Sequence, residues 1–343
     1  MTPRTEETGF EMRGVVVTWN DLVSADWLTL ASEASLNLVS VHTSEPLTTS
    51  AEGRQLLHQA ERLGIAIEQE KHAMADLLPR DLFDAHPDYF RMDKNGQRTP
   101  DFNCCPSSPE ALEIIATNAA VDAREQGSVT GRFYFWLDDG GEQCECSRCA
   151  DLSPSDQALL VENTIAEALT AENNSFTLSH LAYQSTMAPP TQITPRTNIF
   201  LEFAPFFRSW DHPLANAAVF GAGWERTVPT RESKRAERRD DITVSHQDYA
   251  SHLIANLDVF GRSTAQALEY WLDVSLFSDW KQPSVQLPWN GETFVADLDF
   301  YGRQGIRRIT SFAVYMDEDY FRRFPDKTPI LEYGHYLSDW RGQ

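Results

Sequence analysis

The stretch FYFWLDDGGEQCECSRC, residues 133–149, carries more information about the fold than any other part of the chain. Its aromatic, apolar start predicts a buried strand, and two adjacent carboxylates, Asp138 and Asp139, follow where that strand ends. Parallel barrels build their active sites at the carboxyl ends of strands, where paired acids can carry acid/base chemistry. Two glycines and a Cys-x-Cys-x-x-Cys cluster then predict a tight loop beside these acids.

Strand-like runs recur along the chain and alternate with segments of helical spacing. Eight runs have the length and the β-branched or aromatic content of strands: Gly14–Trp19, Leu36–Thr43, Gly64–Lys71, Arg132–Asp138, Ser175–Tyr183, Asn198–Ala204, Ala265–Leu272 and Ile306–Val314. Eight such units in 343 residues predict an α/β fold, a single-domain (β/α)8 TIM barrel. A doubly wound sheet is the alternative, but residues 18–26 lack the Gly-rich phosphate loop expected after its first strand.

The barrel is expected to occupy residues 14–343, after an N-terminal tail of residues 1–13. Long irregular loops are expected at about 73–107 and 208–243, after the third and sixth strands, on the face where active sites form. Ser153 before Pro154, with an acid in the first turn, predicts the start of a helix that continues to Ala171.

Composition excludes several classes of protein. A net charge of −22 would repel nucleic acid, and no run approaches the length of a membrane span, so neither is an expected partner. The polar first 14 residues contain no apolar signal core. The chain as given is therefore expected in the cytoplasm, or outside it if a leader was removed.

The predicted strand order places acids on opposite sides of the barrel mouth. Asp138 and Asp139 end strand four, and Glu269 lies on strand seven. Two carboxylates flanking a sugar are what glycoside hydrolysis needs, one to protonate the leaving oxygen and one to attack or to activate water. The alternative for Asp-Asp-Gly-Gly is a turn in which Asp caps backbone N–H groups, and for Glu269 a surface position. Trp19, Tyr270 and Trp271 near strand ends could stack on sugar rings, although core packing is the alternative for each.

Two other kinds of site remain open. A metal-dependent sugar isomerase would gather His and carboxylate ligands at the barrel centre, and no local ligand motif supports one. Its candidate ligands are His42, Glu45, His72, His180, Glu202 and Glu269. Separately, the thiols of Cys144, Cys146 and Cys149 could bind a structural zinc ion with Cys104 or Cys105, form disulfides, or stay unpaired. The glycoside hydrolase hypothesis requires no cofactor.

Several segments resemble the bacterial domain-of-unknown-function family 4838, a group of glycoside-hydrolase-like barrels, part of which is classified as endo-β-N-acetylglucosaminidases of glycoside hydrolase family 163. The resemblance runs in order from about residue 60 to 315. It rests on HPDYF and GQR (86–90 and 96–98), NCCPSSPE (103–110), DDGGEQCECSRC (138–149), LAYQSTMAPP (181–190), DHPL (211–214) and LEY (268–270). The chain departs at Leu268, where the family has Trp.

The resemblance implies a carbohydrate substrate, with N-acetylhexosamine-containing glycans as candidates, and places Cys105 with the three later cysteines. Asp139 is then the expected general acid, Asp138 orients it or the substrate, and Glu269 is the nucleophile or stabiliser. In a variant scheme the substrate's 2-acetamido group attacks and the aspartate pair suffices. The substrate contacts expected are His72, Arg98, Tyr183 and His212. A sugar-binding barrel without catalytic activity is the competing hypothesis, because Asp reaches less far than Glu.

Overall fold

A computed structural model of the chain describes residues 9–219 and 245–342. Eight strands, each parallel to its neighbours, close into a barrel in sequence order, and this confirms the predicted TIM barrel. The strands are β1 Met12–Thr18, β2 Leu38–His42, β3 Ala66–His72, β4 Arg132–Trp136, β5 Thr177–Ala182, β6 Ile199–Phe203, β7 Gln266–Glu269 and β8 Arg308–Phe312.

Helices on the outside of the barrel connect these strands. The described residues form α1 Trp19–Ser24, α2 Trp27–Glu33, α3 Ala51–Leu63, α4 Met74–Leu77, α5 Pro109–Gln126, α6 Pro154–Glu172, α7 His246–Phe260, α8 Val274–Phe277, α9 Gly291–Arg303, α10 Glu318–Arg323 and α11 Thr328–Asp339. No helix among them is long and apolar enough to cross a membrane.

Helix α6 shows how local sequence sets these boundaries. The Ser153 side chain accepts a hydrogen bond from the Asp156 backbone N–H, and the Asp156 side chain accepts one from Ser153 in return. This reciprocal cap satisfies N–H groups that have no partner within the helix, and Pro154 fits the first helical position because it has no N–H to satisfy. The helix therefore begins where the sequence predicts.

The N-terminal boundary lies earlier than predicted. Strand β1 begins at Met12, and the N–H groups of Gly9 and Phe10 donate to the carbonyls of Trp340 and Leu337 at 2.7 and 3.0 Å. Phe10 is buried, with its ring 5.0 Å from that of Trp340. Residues 9–11 therefore pack against the end of α11, and residues 1–8 lie outside the described part of the chain.

The two long loops follow β3 and β6. The first holds α4 and two short 3-10 turns, residues 80–84 and 87–89. The second is described as far as Val219, and the remainder of the predicted loop lies outside the described residues. Both leave strands at their carboxyl ends, the face that we call the mouth.

Polar side chains fill the barrel interior. Strands that are not neighbours meet only across this interior, so contacts between them identify the inward-facing residues. Arg132 on β4 donates to Gln266 on β7 at 2.9 Å, and Trp136 Nε1 on β4 donates to Glu202 on β6 at 2.8 Å. Burial raises the pKa of Glu202 to about 8, despite the opposing Trp136 hydrogen bond.

Candidate active site

Asp139 lies at the mouth, just beyond β4. Its Oδ1 accepts a hydrogen bond of 3.2 Å from the hydroxyl of Tyr183, which follows β5. Gln184 in turn donates from Nε2 to the Tyr183 oxygen at 2.6 Å. Gln184 has φ of 45°, a left-handed conformation that costs free energy for a residue with a Cβ. The backbone is thus strained at Gln184, the residue that positions Tyr183 against Asp139.

Asp138 makes a different set of contacts. Its Oδ2 accepts from Arg80 Nη2 and from the Asn103 backbone N–H, both at 2.6 Å, while its own N–H donates to Asn103 Oδ1 at 2.9 Å. Asn103 has φ of 44°, a second left-handed non-glycine residue at this site. Asp138 therefore ties the loop after β4 to the loop after β3. It also lines a small pocket together with His72 and Tyr183.

The two glycines after the aspartates form a turn, as the alternative interpretation of this motif predicts. Gly141 N–H donates to the Asp138 carbonyl at 3.0 Å, and Gly140 has φ of 61°. A Cβ on Gly141 would lie 2.8 Å from that carbonyl oxygen and 2.9 Å from Asn103 Nδ2. Glycine at position 141 is therefore what lets Asn103 approach Asp138 so closely. The turn and the positioning of Asp138 depend on each other.

Two histidines and a tryptophan form the floor of the mouth. The His42 ring stacks 5.8 Å from that of Trp136, and the His72 ring lies 5.3 Å from the same indole. Burial lowers the pKa of His42 to about 4, aided by nearby His72 and opposed by the charge of Asp139. His42 is therefore neutral at neutral pH. His72 Nδ1 donates to the Leu137 carbonyl at 2.5 Å, and this hydrogen bond fixes the orientation of the ring.

Aromatic side chains form one wall of the mouth. The Phe206 ring lies 5.6 Å from that of Tyr183 and 5.0 Å from that of Tyr270. Tyr270 also stacks on Phe312 at 5.2 Å and contacts Trp210 at 5.8 Å. Burial raises the pKa of Tyr270 well above its usual value, and the neighbouring Tyr183 and Asp139 add to this. Its hydroxyl thus stays protonated. Phe206 and Tyr270 are only 8% and 6% exposed, so stacking of a sugar on Tyr270 stays a prediction.

The structure does not bring Glu269 together with the two aspartates. Side chains alternate along a strand, and since Gln266 faces the interior, Glu269 faces outward. Its Oε1 accepts from Arg208 at 2.9 Å and from Tyr301 of α9 at 2.5 Å, and its side chain has no solvent exposure. The assignment of Glu269 as second catalytic carboxylate is therefore corrected: it belongs to a buried ionic network with Arg208 and Asp297 between barrel and helix.

Trp271 is also corrected, for the same reason. It follows Tyr270 and faces the helices, where its Nε1 donates to Asp297 at 3.0 Å and its ring packs 4.9 Å from Phe294. Only 6% of Trp271 is exposed. The alternative interpretation, core packing, describes this residue.

Three further predicted contacts lie in different surroundings. Arg98 Nη1 donates to the Phe90 carbonyl at 2.6 Å and lies 3.8 Å from Cys144 Sγ, so its guanidinium serves the cysteine-bearing loops. Its role as a substrate contact stays a prediction. His212 is exposed, and its carbonyl accepts from Arg208. Trp19 begins α1 at the carboxyl end of β1 and is half-buried. For the last two, a role at the mouth stays a prediction.

The ligands expected for a metal-dependent isomerase do not converge. His180 faces outward, where its Nδ1 lies 2.7 Å from Glu162 of α6 and its ring stacks on Phe260. Glu269 also faces outward, whereas Glu202 faces the interior. Over residues 9–219 and 245–342, the single grouping of His, Cys, Asp and Glu compatible with a metal is Cys105, Cys144, Cys146 and Cys149.

Comparison with known proteins defines the family. Residues 5–226, more than half of the chain, match the family model described as domain of unknown function (DUF4838). The chain belongs to the DUF4838 family. A search of curated proteins finds no match for this DUF4838 protein.

Solved structures with the same architecture include carbohydrate-active enzymes. An endo-β-1,4-glucanase of glycoside hydrolase family 5 from Bacillus licheniformis, solved with cellotetraose, gives a TM-score of 0.51 at 10% identity, over 98% of this chain and 60% of that one. The family 5 enzyme of Prevotella bryantii B14, bound to a xyloglucan tetradecasaccharide, gives 0.49 at 11%, over 97% and 99%. A family 20 module of the pneumococcal exo-β-D-N-acetylglucosaminidase gives 0.49 at 10%, over 97% and 85%. The likeness to the first of these structures shows the barrel fold, and the DUF4838 protein spans 60% of that chain.

Sequence reasoning did not identify four residues that shape the site. Arg80 and Asn103 hold Asp138, Gln184 holds Tyr183, and Trp136 forms the floor. The sequence could have indicated Trp136. It is the last residue of β4 and lies two residues before Asp138, so the alternation of side chains along a strand places both on the same face. The other three come from loops, where no periodicity indicates which side chains meet.

Proposed function

We propose that the DUF4838 protein is a glycoside hydrolase in which Asp139 is the general acid. The observation that carries this proposal is the Tyr183–Asp139 hydrogen bond at the mouth, beside the aromatic wall of Phe206 and Tyr270. A hydroxyl that donates to Asp139 fixes the orientation of the carboxyl. It also stabilises the carboxylate after the proton has moved to the leaving oxygen.

The attacking group is proposed to be the substrate's own 2-acetamido oxygen. Glu269 faces the helices, so a covalent glycosyl-enzyme on that residue is not proposed. Asp138 contacts Arg80 and Asn103 through Oδ2 alone, and Oδ1 is the atom that would accept the acetamido N–H. This division of labour between adjacent acids suits an N-acetylhexosamine-containing glycan, the class implied by the resemblance to family 163.

The proposed reaction has two steps. Asp139 donates its proton to the glycosidic oxygen as the C1–O bond breaks, and the acetamido carbonyl oxygen bonds to C1 to give an oxazoline-type intermediate. Asp138 holds the amide N–H during this attack. Water then adds to C1 and loses a proton to Asp139, which restores the acetamido group and the acid.

Paired fluorogenic substrates test this proposal. The enzyme is expected to release 4-methylumbelliferone from the β-glycosides of N-acetylglucosamine or N,N′-diacetylchitobiose, and not from the matched glucoside or cellobioside. Asp139→Asn is expected to lower kcat by about 100- to 10,000-fold, with an unchanged melting temperature. Asp151→Asn, an exposed acid of the same loop, is the control. Equal turnover of both substrate pairs would contradict the acetamido mechanism.

A sugar-binding barrel without catalysis is the second candidate, and the outward orientation of Glu269 is the observation that favours it. In that case chitooligosaccharides bind in calorimetry, Asp139→Asn changes the affinity little, and no product forms after prolonged incubation.

A further inference from the structure

Four cysteines converge where the two loops at the mouth meet. Cys105 comes from the loop after β3, and Cys144, Cys146 and Cys149 come from the loop after β4. All four are buried, and their sulfur atoms lie within 4.8 Å of one another. Cys105 Sγ lies 3.8 Å from Cys146 Sγ and 4.0 Å from Cys149 Sγ.

These separations match a tetrahedral metal site better than they match disulfides. With Zn–S bonds of about 2.3 Å, the sulfurs of a four-thiolate site lie roughly 3.8 Å apart. A disulfide would bring two sulfurs to about 2.05 Å. Three of the ligands come from a single short loop and the fourth from another loop. No helix or strand brings these four side chains together.

Donors around the cluster suit thiolate sulfur. The Met92 N–H donates to Cys144 Sγ at 3.4 Å, and the Arg98 guanidinium lies 3.8 Å from the same atom. Ser107 Oγ lies 3.1 Å from Cys149 Sγ. Hydrogen bonds to ligand sulfurs orient them and offset their negative charge, as the surroundings of metal sites commonly do.

We propose that Cys105, Cys144, Cys146 and Cys149 bind one structural Zn²⁺ ion that fastens the loop after β3 to the loop bearing Asp138 and Asp139. Cys105 lies two residues after Asn103, whose backbone and side chain hold Asp138. The ion would therefore fix the position of Asn103 relative to the acidic pair. The site has no open position for substrate, so its role is architectural. This inference does not depend on the proposed hydrolase activity.

Metal analysis of the intact protein tests the site. Protein purified without chelator is expected to contain one zinc per chain by inductively coupled plasma mass spectrometry. X-ray absorption is expected to show four sulfur neighbours at about 2.3 Å. Replacement by Co²⁺ is expected to give the intense visible bands of tetrahedral thiolate coordination.

Serine variants locate the ligands. Cys105→Ser and Cys146→Ser are expected to lose zinc or to bind it at least tenfold more weakly, whereas Cys104→Ser is expected to keep the full stoichiometry. Cys104 is the matched control, because it is equally buried and adjacent in sequence but is not one of the four. If a ligand variant fails to fold, the wild-type absorption spectrum and stoichiometry still decide the question.

Two results would overturn the proposal. One is protein without metal that has four titratable thiols in the cluster. The other is an intact mass, measured without reductant, that is lower by the hydrogens lost in one or two disulfides. The fastening role is tested separately by hydrogen exchange of residues 138–149, which is expected to accelerate when zinc is removed and to return on its replacement.

Discussion

The hydroxyl of Tyr183 is the group at the mouth whose removal is expected to affect Asp139 most directly. Tyr183→Phe removes the hydroxyl that donates to Asp139 and leaves the ring against Phe206. A hydrogen bond to a charged group contributes about 1.5–3 kcal/mol, so kcat is expected to fall by about 10- to 100-fold while KM changes little. Tyr336→Phe, on the exposed side of α11, is the control. A kcat within twofold of wild type would show that Tyr183 does not act on the acid.

For Glu269 the expected effect is the opposite: its substitution changes the free energy of unfolding and leaves kcat unchanged. Glu269→Gln leaves Arg208 with Asp297 as its remaining charged partner in a buried site. Loss of one partner of a buried ion pair costs about 3–5 kcal/mol, and the retained amide contacts should reduce the loss to about 2–4 kcal/mol. The free energy of unfolding in urea measures this, with exposed Glu113→Gln as control. A large fall in kcat at unchanged stability would return Glu269 to the catalytic machinery.

Glu269 also shows what sequence can predict at the scale of one residue. Its strand was placed correctly, but the sequence around it, Gln-Ala-Leu-Glu-Tyr-Trp, carries polar and apolar groups at both parities. The polar interior removes the usual contrast between the two faces of a strand, because Gln266 inside and Glu269 outside are both buried. Asp138, Asp139 and Tyr183 lie beyond strand ends, where position matters more than parity, so the sequence can indicate that they lie at the mouth; their roles there stay predictions.

At the scale of elements, two short helices begin with buried aspartates. Asp21 lies in the first turn of α1, and Asp273 caps α8. Burial raises the pKa of each to about 6, and the charge of Asp21 further raises that of Asp273. Because the folded pKa lies above the unfolded value near 3.8, these groups favour folding at low pH. That contribution is lost as the pH rises through about 6.

Asp273→Asn tests this effect, because asparagine can also cap a helix but carries no charge. The free energy of unfolding of the variant is expected to fall less than that of wild type between pH 4 and pH 7. The difference has an upper limit of about 3 kcal/mol. Asp26→Asn, at the exposed cap of α2, is the matched control. Parallel pH profiles of wild type and Asp273→Asn would contradict the assignment.

Element boundaries were predictable to the extent that local chemistry sets them. The cap at Ser153 and Pro154 predicts the start of α6 from sequence, and the structure confirms it. Strand β7 ends at Glu269, three residues before its predicted end. The reason is that the Asp273 N–H donates to the Tyr270 carbonyl at 3.1 Å, which turns the chain into α8, and the apolar residues there continue without marking the turn.

At the scale of the whole molecule, the net charge of −22 opposes compaction. Raising the ionic strength from about 0.01 to about 0.15 M shortens the screening length from about 30 to about 8 Å, which weakens repulsion between distant carboxylates. The melting temperature is therefore expected to rise by about 2 °C or more. NaCl and KCl should act alike, since screening depends on ionic strength rather than on the ion. A fall in melting temperature would show that attractive ion pairs outweigh the net repulsion.

The overall architecture was the most predictable property, because eight alternating units in one chain have few ways to pack. The contents of the interior were not predictable. Glu68, Glu70 and Glu202 lie inside the barrel among Arg132 and Tyr134, and nothing in the spacing of acids along the chain distinguishes them from surface residues.

The position of Trp136 gives the protein an optical reporter. Its indole lies over the polar interior and beneath the mouth, in contact with His42, His72 and Glu202. Indole emission responds to nearby charge and to exclusion of water. Protonation of His42 as the pH falls toward 4, or the arrival of a sugar ring on the floor, should each change the fluorescence. The chain has nine tryptophans, so the difference in emission between wild type and Trp136→Phe would isolate this signal and report occupancy of the mouth, without a chromogenic leaving group and without turnover.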